Sequence, residues 1–261
     1  MNKIINLVID FDDVIMNTGK LWEEAVSSLS QYGITKDLYL KTKIAESKNR
    51  NNSAFPYFLD NHLRILGIML GKEKEISKIK SDIFLFLKKK SSQYIFPDVA
   101  PFLKEVKNVN PHTQKVATIR SRKNRLFVSG KENIKQGYEN MSVGVNLTML
   151  TYGEKELQSA KVYGSGVDKY FNKIIITQKP KWMSFDDILS DGNKTIFIDD
   201  KISELINVKN RFSEVLAARM KRKDGRYSKE ESNFKFDYVV SDFNDLAKII
   251  SAKGELAFSG N

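Results

Sequence analysis

A chain of 261 residues with 41% hydrophobic and 29% charged residues is long enough to bury a full core and has the balance of an ordinary folded protein. It has no cysteine and only two histidines, His62 and His112, in unrelated segments, so disulfides, thiolate catalysis, zinc sites and Ser-His-Asp triads are excluded. No apolar run reaches membrane-spanning length and the opening strand is too short and too acidic at its end for a signal peptide, so the expectation is a cytoplasmic protein without a membrane partner.

The chain opens with Ile4–Ile9, a short apolar run that ends in three carboxylates, Asp10, Asp12 and Asp13. Such a run reads as a strand buried on both faces, as in a parallel sheet, and strands of that kind deliver functional residues at their carboxyl ends. Asp10 and Asp12 would share a face of a continuing strand, where like charges repel unless a divalent cation or a shared proton compensates. The plainer alternative is that one of them caps the next helix, a task that Asn17 or Thr18 could also perform.

From residue 18 to 95 the apolar residues recur at helical spacing: Leu21-Trp22, Ala25-Val26 and Leu29, then Phe58-Leu59, Leu63, Leu66 and Leu70, then Ile76, Ile79, Ile83-Phe84 and Leu87. This predicts a module of amphipathic helices, interrupted by the polar Ser47–Ser53 stretch. Pro97-Asp98-Val99 starts a further helix through Phe102, Leu103 and Val106. Residues 108–144 read as a basic insertion, with Lys115–Ile119 and Leu126–Ser129 as paired strands around a basic turn.

From Val145 a strand–helix rhythm sets in. Strands are expected at Val145–Leu150, Lys173–Ile176, Thr195–Ile198, Val215–Ala217 and Tyr238–Val240, and helices at Glu154–Tyr163, Phe185–Leu189, Ile202–Lys209 and Asn244–Ile250. Alternation of this kind implies an α/β fold, a doubly wound parallel sheet of Rossmann-like type.

The formal net charge of +11 is concentrated in two segments. Residues 108–144 hold Lys115, Arg120, Arg122, Lys123, Arg125, Lys131 and Lys135 against Glu132 and Glu139. Residues 219–229 hold Arg219, Lys221, Arg222, Lys223, Arg226 and Lys229 against Asp224. These segments either border a polyanion or a phosphorylated substrate, or are solvated loops of a lysine-rich protein.

Asp10-Phe11-Asp12-Asp13-Val14 resembles the first motif of the haloacid dehalogenase-like superfamily, D-x-D-x-[T/V] after an apolar strand. Leu147–Gly153, an apolar strand ending in Thr151, resembles the second motif. Thr177-Gln178-Lys179-Pro180-Lys181 is similar to the third, and Ile196-Phe197-Ile198-Asp199-Asp200 to the fourth. The resemblance implies a core of residues 1–17 and 96–261 containing the 108–144 insertion, with residues 18–95 as an inserted α-helical cap. It further implies a Mg²⁺-dependent phosphohydrolase acting on a phosphorylated small molecule or nucleotide. Asp10 would be the nucleophile that forms an aspartyl-phosphate. Asp12 would be a general acid that starts protonated and then serves as base. Thr151 would hydrogen-bond the phosphate, and Lys179 would neutralise charge, with Lys181 as the alternative lysine. The metal would be held by Asp10, the backbone carbonyl of Asp12 and Asp200, with Asp199 as ligand or supporting group and Glu204 holding a coordinated water. Asp13 would be a turn residue. The rival readings are a binding or regulatory protein that uses the basic segments on an acidic partner or nucleic acid, and a phosphatase acting on nucleic-acid ends; a nucleic-acid partner is the less favoured of these expectations. Oligomeric state is left open.

Overall fold

The computed structural model describes residues 4–49, 57–109, 144–189 and 192–252. The elements run β1 (Ile4–Ile9), α1 (Thr18–Ser27), α2 (Lys36–Asn49), α3 (Leu59–Leu70), α4 (Ile76–Lys90), α5 (Val99–Val109), β2 (Gly144–Tyr152), α6 (Lys155–Ser165), β3 (Lys173–Thr177), α7 (Phe185–Leu189), β4 (Lys194–Asp199), α8 (Ile202–Arg211), β5 (Leu216–Met220), β6 (Tyr238–Val240) and α9 (Phe243–Ala252).

All six strands are parallel, in the order β3-β2-β1-β4-β5-β6. β1 is therefore central, and its neighbours lie on opposite sides in the order of winding, which makes its carboxyl end the crevice where ligands bind in such sheets. Strand alternation supplies both faces. Ile5, Leu7 and Ile9 pack into a large cluster with Val99, Phe102, Leu157 and Phe243, and Val8 points the other way against Phe185, Phe197, Leu205 and Val208. One polar row crosses the centre: Asn146 Nδ2 donates to Asn6 Oδ1 at 3.3 Å, and Asn6 Nδ2 donates to Thr195 Oγ1 at 3.4 Å. It pins the register of the three central strands, where a slip would bury unsatisfied amides.

The chain leaves the sheet and comes back to it at one place. Met16 pairs with Ile95, Asn17 N–H donates to the Tyr94 carbonyl at 2.8 Å, and Phe96 N–H donates to the Ile15 carbonyl at 3.0 Å. Between these points lie α1 to α4, and they pack back on the core through α4 against α6. A Cβ at Gly164 would stand 2.6 Å from the Leu87 carbonyl oxygen, so this crossing is close enough to require glycine.

The expected strands and helices from Val145 onward are present, with shifted ends. β2 runs past Thr151 to Tyr152, and the fifth strand includes Arg219, which places one of the basic residues inside the sheet. The expected strand pair at Lys115–Ile119 and Leu126–Ser129 lies outside the described residues.

Candidate active site

β1 delivers Asp10 and β4 delivers Asp199 and Asp200 to the same edge, because the two strands pair in register up to Ile9 and Ile198 and Asp10 N–H donates to the Ile198 carbonyl at 2.9 Å. A carboxylate oxygen from each of the three acids lies within 4.8 Å of the others. Lys181 is buried between two of them, its Nζ 2.7 Å from Asp10 Oδ1 and 2.6 Å from Asp199 Oδ2. Burial pushes Asp10 up to about 7, with Asp199 and Asp12 working against the relief that Lys181 provides. Burial and the neighbouring Asp199 and Asp10 push Asp200 up to about 9. Three carboxylates against one ammonium would leave two negative charges in excess when all are ionised, and this repulsion adds to the cost of burial in both shifts.

The acids are not equivalent. Asp199 accepts from Lys181 with one oxygen and from Lys201 N–H, at 2.8 Å, with the other, so both of its oxygens are engaged. Asp200 Oδ2 and Glu204 Oε2 are buried without a hydrogen-bond partner among the described residues. An all-oxygen donor set with an uncommitted oxygen suits a hard divalent cation such as Mg²⁺.

Asp12 sits in the opposite environment. Lys161 Nζ lies 2.5 and 2.7 Å from its two oxygens, Gln158 Nε2 donates to Oδ2 at 2.8 Å and Thr18 Oγ1 donates to Oδ1 at 2.7 Å. Burial alone would push Asp12 up, but Lys161 and then Arg226 outweigh it and hold the carboxyl well below the usual range. The surroundings of Asp12 therefore run against the expectation that it starts protonated: three donor groups make four hydrogen bonds to its oxygens and favour the carboxylate. Gly153 makes room for this arrangement, as a Cβ there would stand 2.7 Å from Gln158 Nε2.

Asp10, Asp12, Asp199 and Asp200 are brought together at one cleft, but Lys179 is not. It is exposed, with its N–H committed to the Thr177 hydroxyl, while Lys181 is buried in the cluster. Lys181 is therefore the lysine in contact with Asp10. Thr151, near the end of β2, is fully buried and its hydroxyl has no hydrogen-bond partner among the described residues. It is not a helix cap, a position taken by Glu154. Nor do the acids of the first motif cap α1: Asn17 does so, through Lys20 N–H at 3.0 Å. Asp13 is a turn residue with φ 56°, and it also anchors the Thr18 N–H and the Arg226 guanidinium.

The 219–229 segment divides: Arg219 and Arg222 are buried, whereas Lys223, Arg226 and Lys229 are exposed. Arg222 forks onto both oxygens of Asp98 at 2.8 Å and donates to the Val14 carbonyl, and Arg219 donates to the Tyr227 and Glu230 carbonyls. Arg226 reaches the cleft through Asp13. The residues that sequence reasoning missed, Gln158 and Lys161, had a faint signal. They lie three apart on α6, among Leu157, Ala160 and Val162, as two polar interruptions of a buried stripe.

The cleft over these groups has a volume of about 590 Å³. The sheet edge forms one wall. The other comes from α1 and α2 and the segment before α3, with Trp22, Tyr39, Leu40, Lys43 and Tyr57.

No family model and no curated protein matches the chain. Solved structures do. A putative haloacid dehalogenase-like hydrolase from Burkholderia xenovorans LB400 superposes with a TM-score of 0.68 at 13% identity, over 98% of this chain and 100% of that one. The putative HAD-hydrolase YfnB from Bacillus subtilis, bound to magnesium, gives 0.58 at 13% identity, over 95% and 99%. L-2-haloacid dehalogenase from Xanthobacter autotrophicus with chloropropionic acid covalently bound gives 0.54 at 14% identity, over 96% and 99%. The chain has the haloacid dehalogenase-like fold. Among the described residues no helix is long and apolar enough to cross a membrane.

Proposed function

We propose that this protein is a Mg²⁺-dependent phosphohydrolase that works through an aspartyl-phosphate on Asp10. One juxtaposition carries the reading: a buried acid cluster with two negative charges in excess, Lys181 against the nucleophile, and a further carboxylate, Asp12, facing the same cleft. The residues fit the metal. Asp10 and Asp200 would hold it, Asp199 would be kept in place by Lys181 and Lys201 N–H, and Glu204 stands one turn beyond. When bound, Mg²⁺ supplies the charge screening that lets a carboxylate approach a phosphoryl group.

The side chains divide the remaining work. Lys181 opposes the protonation that burial favours at Asp10 and keeps its carboxylate aimed. An Asp10 oxygen forms the bond to phosphorus as the bond to the leaving-group oxygen breaks, and the electron pair goes to that oxygen. The proton it needs enters with the phosphomonoester monoanion and passes through Asp12. Water then attacks the aspartyl-phosphate, Asp12 accepts its proton as base, and phosphate departs with Asp10 restored. The Thr151 hydroxyl, buried without a partner among the described residues and next in the chain to the cleft-lining Tyr152, would hydrogen-bond a phosphate oxygen. The 18–95 helical segment acts as the cap, with Trp22, Lys43 and Tyr57 facing the leaving group.

A second reading comes from the likeness to L-2-haloacid dehalogenase: Asp10 displacing halide rather than attacking phosphorus. The carboxylate of Asp12 argues against it, because the resemblance implies an acid at this position in phosphohydrolases and none in dehalogenases. The test is to assay phosphate release from phosphomonoesters with Mg²⁺ and halide release from 2-haloacids, native protein beside Asp10→Asn. The proposal expects Mg²⁺-dependent, Asp10-dependent phosphate release and no halide. Halide release without metal would replace it with the dehalogenase reading, and neither activity would leave a binding protein.

A further inference from the structure

The helical wall of the cleft carries chemistry that phosphoryl transfer does not use. Lys43, on α2, lines the cleft at its exposed side, and among the described residues no hydrogen bond or ion pair holds its ammonium, which lies 5.8 Å from the centroid of the Tyr57 ring. The like charges of Arg226 and Lys161 and the opposite charge of Asp12 act on it from across the cleft. Three cations thus converge on the side of the cleft where Asp12 meets the leaving group, and Asp12 and Asp13 compensate only Lys161 and Arg226.

Beside Lys43 stands an aromatic wall that the fold holds rigid. Trp22 stacks on Tyr39 at 6.2 Å between centroids and 27° between planes. His62, fully buried, fixes the hydroxyls behind it. Its Nε2 faces the Tyr39 carbonyl at 3.1 Å and the Thr42 hydroxyl at 2.6 Å; a carbonyl only accepts, so Nε2 carries the proton. Nδ1 must then accept, and Tyr57 O–H donates to it at 2.6 Å, which leaves Tyr39 O–H to donate to Tyr57 at 3.4 Å. The Tyr57 O–H is thus committed to His62 and the Tyr39 O–H to Tyr57, so the wall offers ring surface to a ligand and few free donors.

We infer that the cleft takes a substrate whose leaving group carries a planar ring and its own anionic group, as in a nucleoside diphosphate: Lys43 and Arg226 bind the anion next to the scissile bond, and Trp22, Tyr39 and Tyr57 pack the ring. The inference rests on the phosphohydrolase reading and names its substrate class. A ring against an aromatic wall and an anion placed between two cations each favour such a ligand over a phosphorylated sugar.

Two arms test it. In the first, native protein in EDTA, where the acid cluster repels a phosphate, is titrated calorimetrically with adenosine monophosphate, adenosine and ribose 5-phosphate. The nucleotide is expected to bind at least tenfold tighter than either fragment. Lys43→Met should erase its advantage over adenosine, Lys43→Arg should restore it, and Tyr57→Leu should erase its advantage over ribose 5-phosphate. Equal binding of nucleotide and adenosine, or an equal loss on both in Lys43→Met, overturns the inference. In the second arm, the ratio of kcat/KM for adenosine diphosphate over p-nitrophenyl phosphate should fall at least tenfold in Lys43→Met, through KM; an unchanged ratio overturns it. Absence of Asp10-dependent phosphate release from every ester, p-nitrophenyl phosphate included, would remove the phosphohydrolase reading alone, because the binding arm needs no turnover.

Discussion

The two walls of the cleft are electrostatic opposites. At the sheet edge, Asp10, Asp199 and Asp200 crowd around one lysine, and burial raises Asp10 and Asp200. On the α6 side, two residues along the chain from Asp10, Asp12 is surrounded by Lys161, Gln158 and Thr18 and its pKa is lowered. The same residue type, delivered by the same turn, is thus set up for different work by what faces it. The acid-rich wall thus carries carboxylates that its one lysine does not balance, whereas the cations of the other wall are paired with Asp12 and Asp13 except for Lys43.

The largest expected effect breaks the acid-rich wall at its centre. Asp10→Asn should lower Mg²⁺-dependent phosphate release by roughly 10³-fold or more, with the far-UV spectrum unchanged, because the nucleophile is removed while the shape is kept. Lys181→Met should be the most destabilising change in the site. It strands Asp10 and Asp199 as buried like charges, a loss of about 3–5 kcal/mol that denaturant unfolding in EDTA would measure. If the excess charge is a metal site, Mg²⁺ at a hundred times its dissociation constant should stabilise the native protein by about 2.7 kcal/mol. Calorimetric melting with and without Mg²⁺ checks this, and Asp200→Asn should lose most of the shift.

His62 provides a comparison outside the acid cluster. Burial lowers its pKa from 6.5 to about 4, so the unfolded chain binds more protons between these values. The stability it contributes is complete above pH 6.5 and is lost as pH falls toward 4, by up to about 3 kcal/mol. Urea unfolding should show the difference between native protein and His62→Gln constant above pH 7 and shrinking below 6.5. The smallest effect belongs to Lys179→Met, which should change stability by no more than about 0.5 kcal/mol and activity by less than about twofold. A large loss there together with a silent Lys181→Met would reverse the assignment of the lysine.

What could be read from the sequence follows the same division. β1 and β4 are apolar runs with acids at their ends, and parallel pairing brings such ends together; Asp10, Asp199 and Asp200 were therefore legible as a cluster. The lysine was not settled, because Lys179 and Lys181 lie two residues apart in a loop and local sequence does not say which one turns inward. Pro180 begins a tight 3₁₀ turn that buries Lys181 and leaves Lys179 outside. Asp12 was legible as a member of the site but not in its charge state, which is set by Lys161 from 149 residues away. The Arg219–Lys229 segment stays open in the sequence for a similar reason: the partners of Arg222 and Arg226 are Asp98, Val14 and Asp13, from across the fold, while Lys223 and Lys229 are exposed. Strand-end chemistry is local, whereas compensation between walls is tertiary.

The account stands or falls on a covalent bond to Asp10. Native protein incubated with Mg²⁺ and p-nitrophenyl phosphate, quenched in acid and mapped by peptide mass spectrometry, should carry one phosphoryl group on the peptide containing Asp10, and the Asp10→Asn protein should carry none. A phosphoryl group on another residue, or phosphate release with no trapped adduct in either protein, would contradict it.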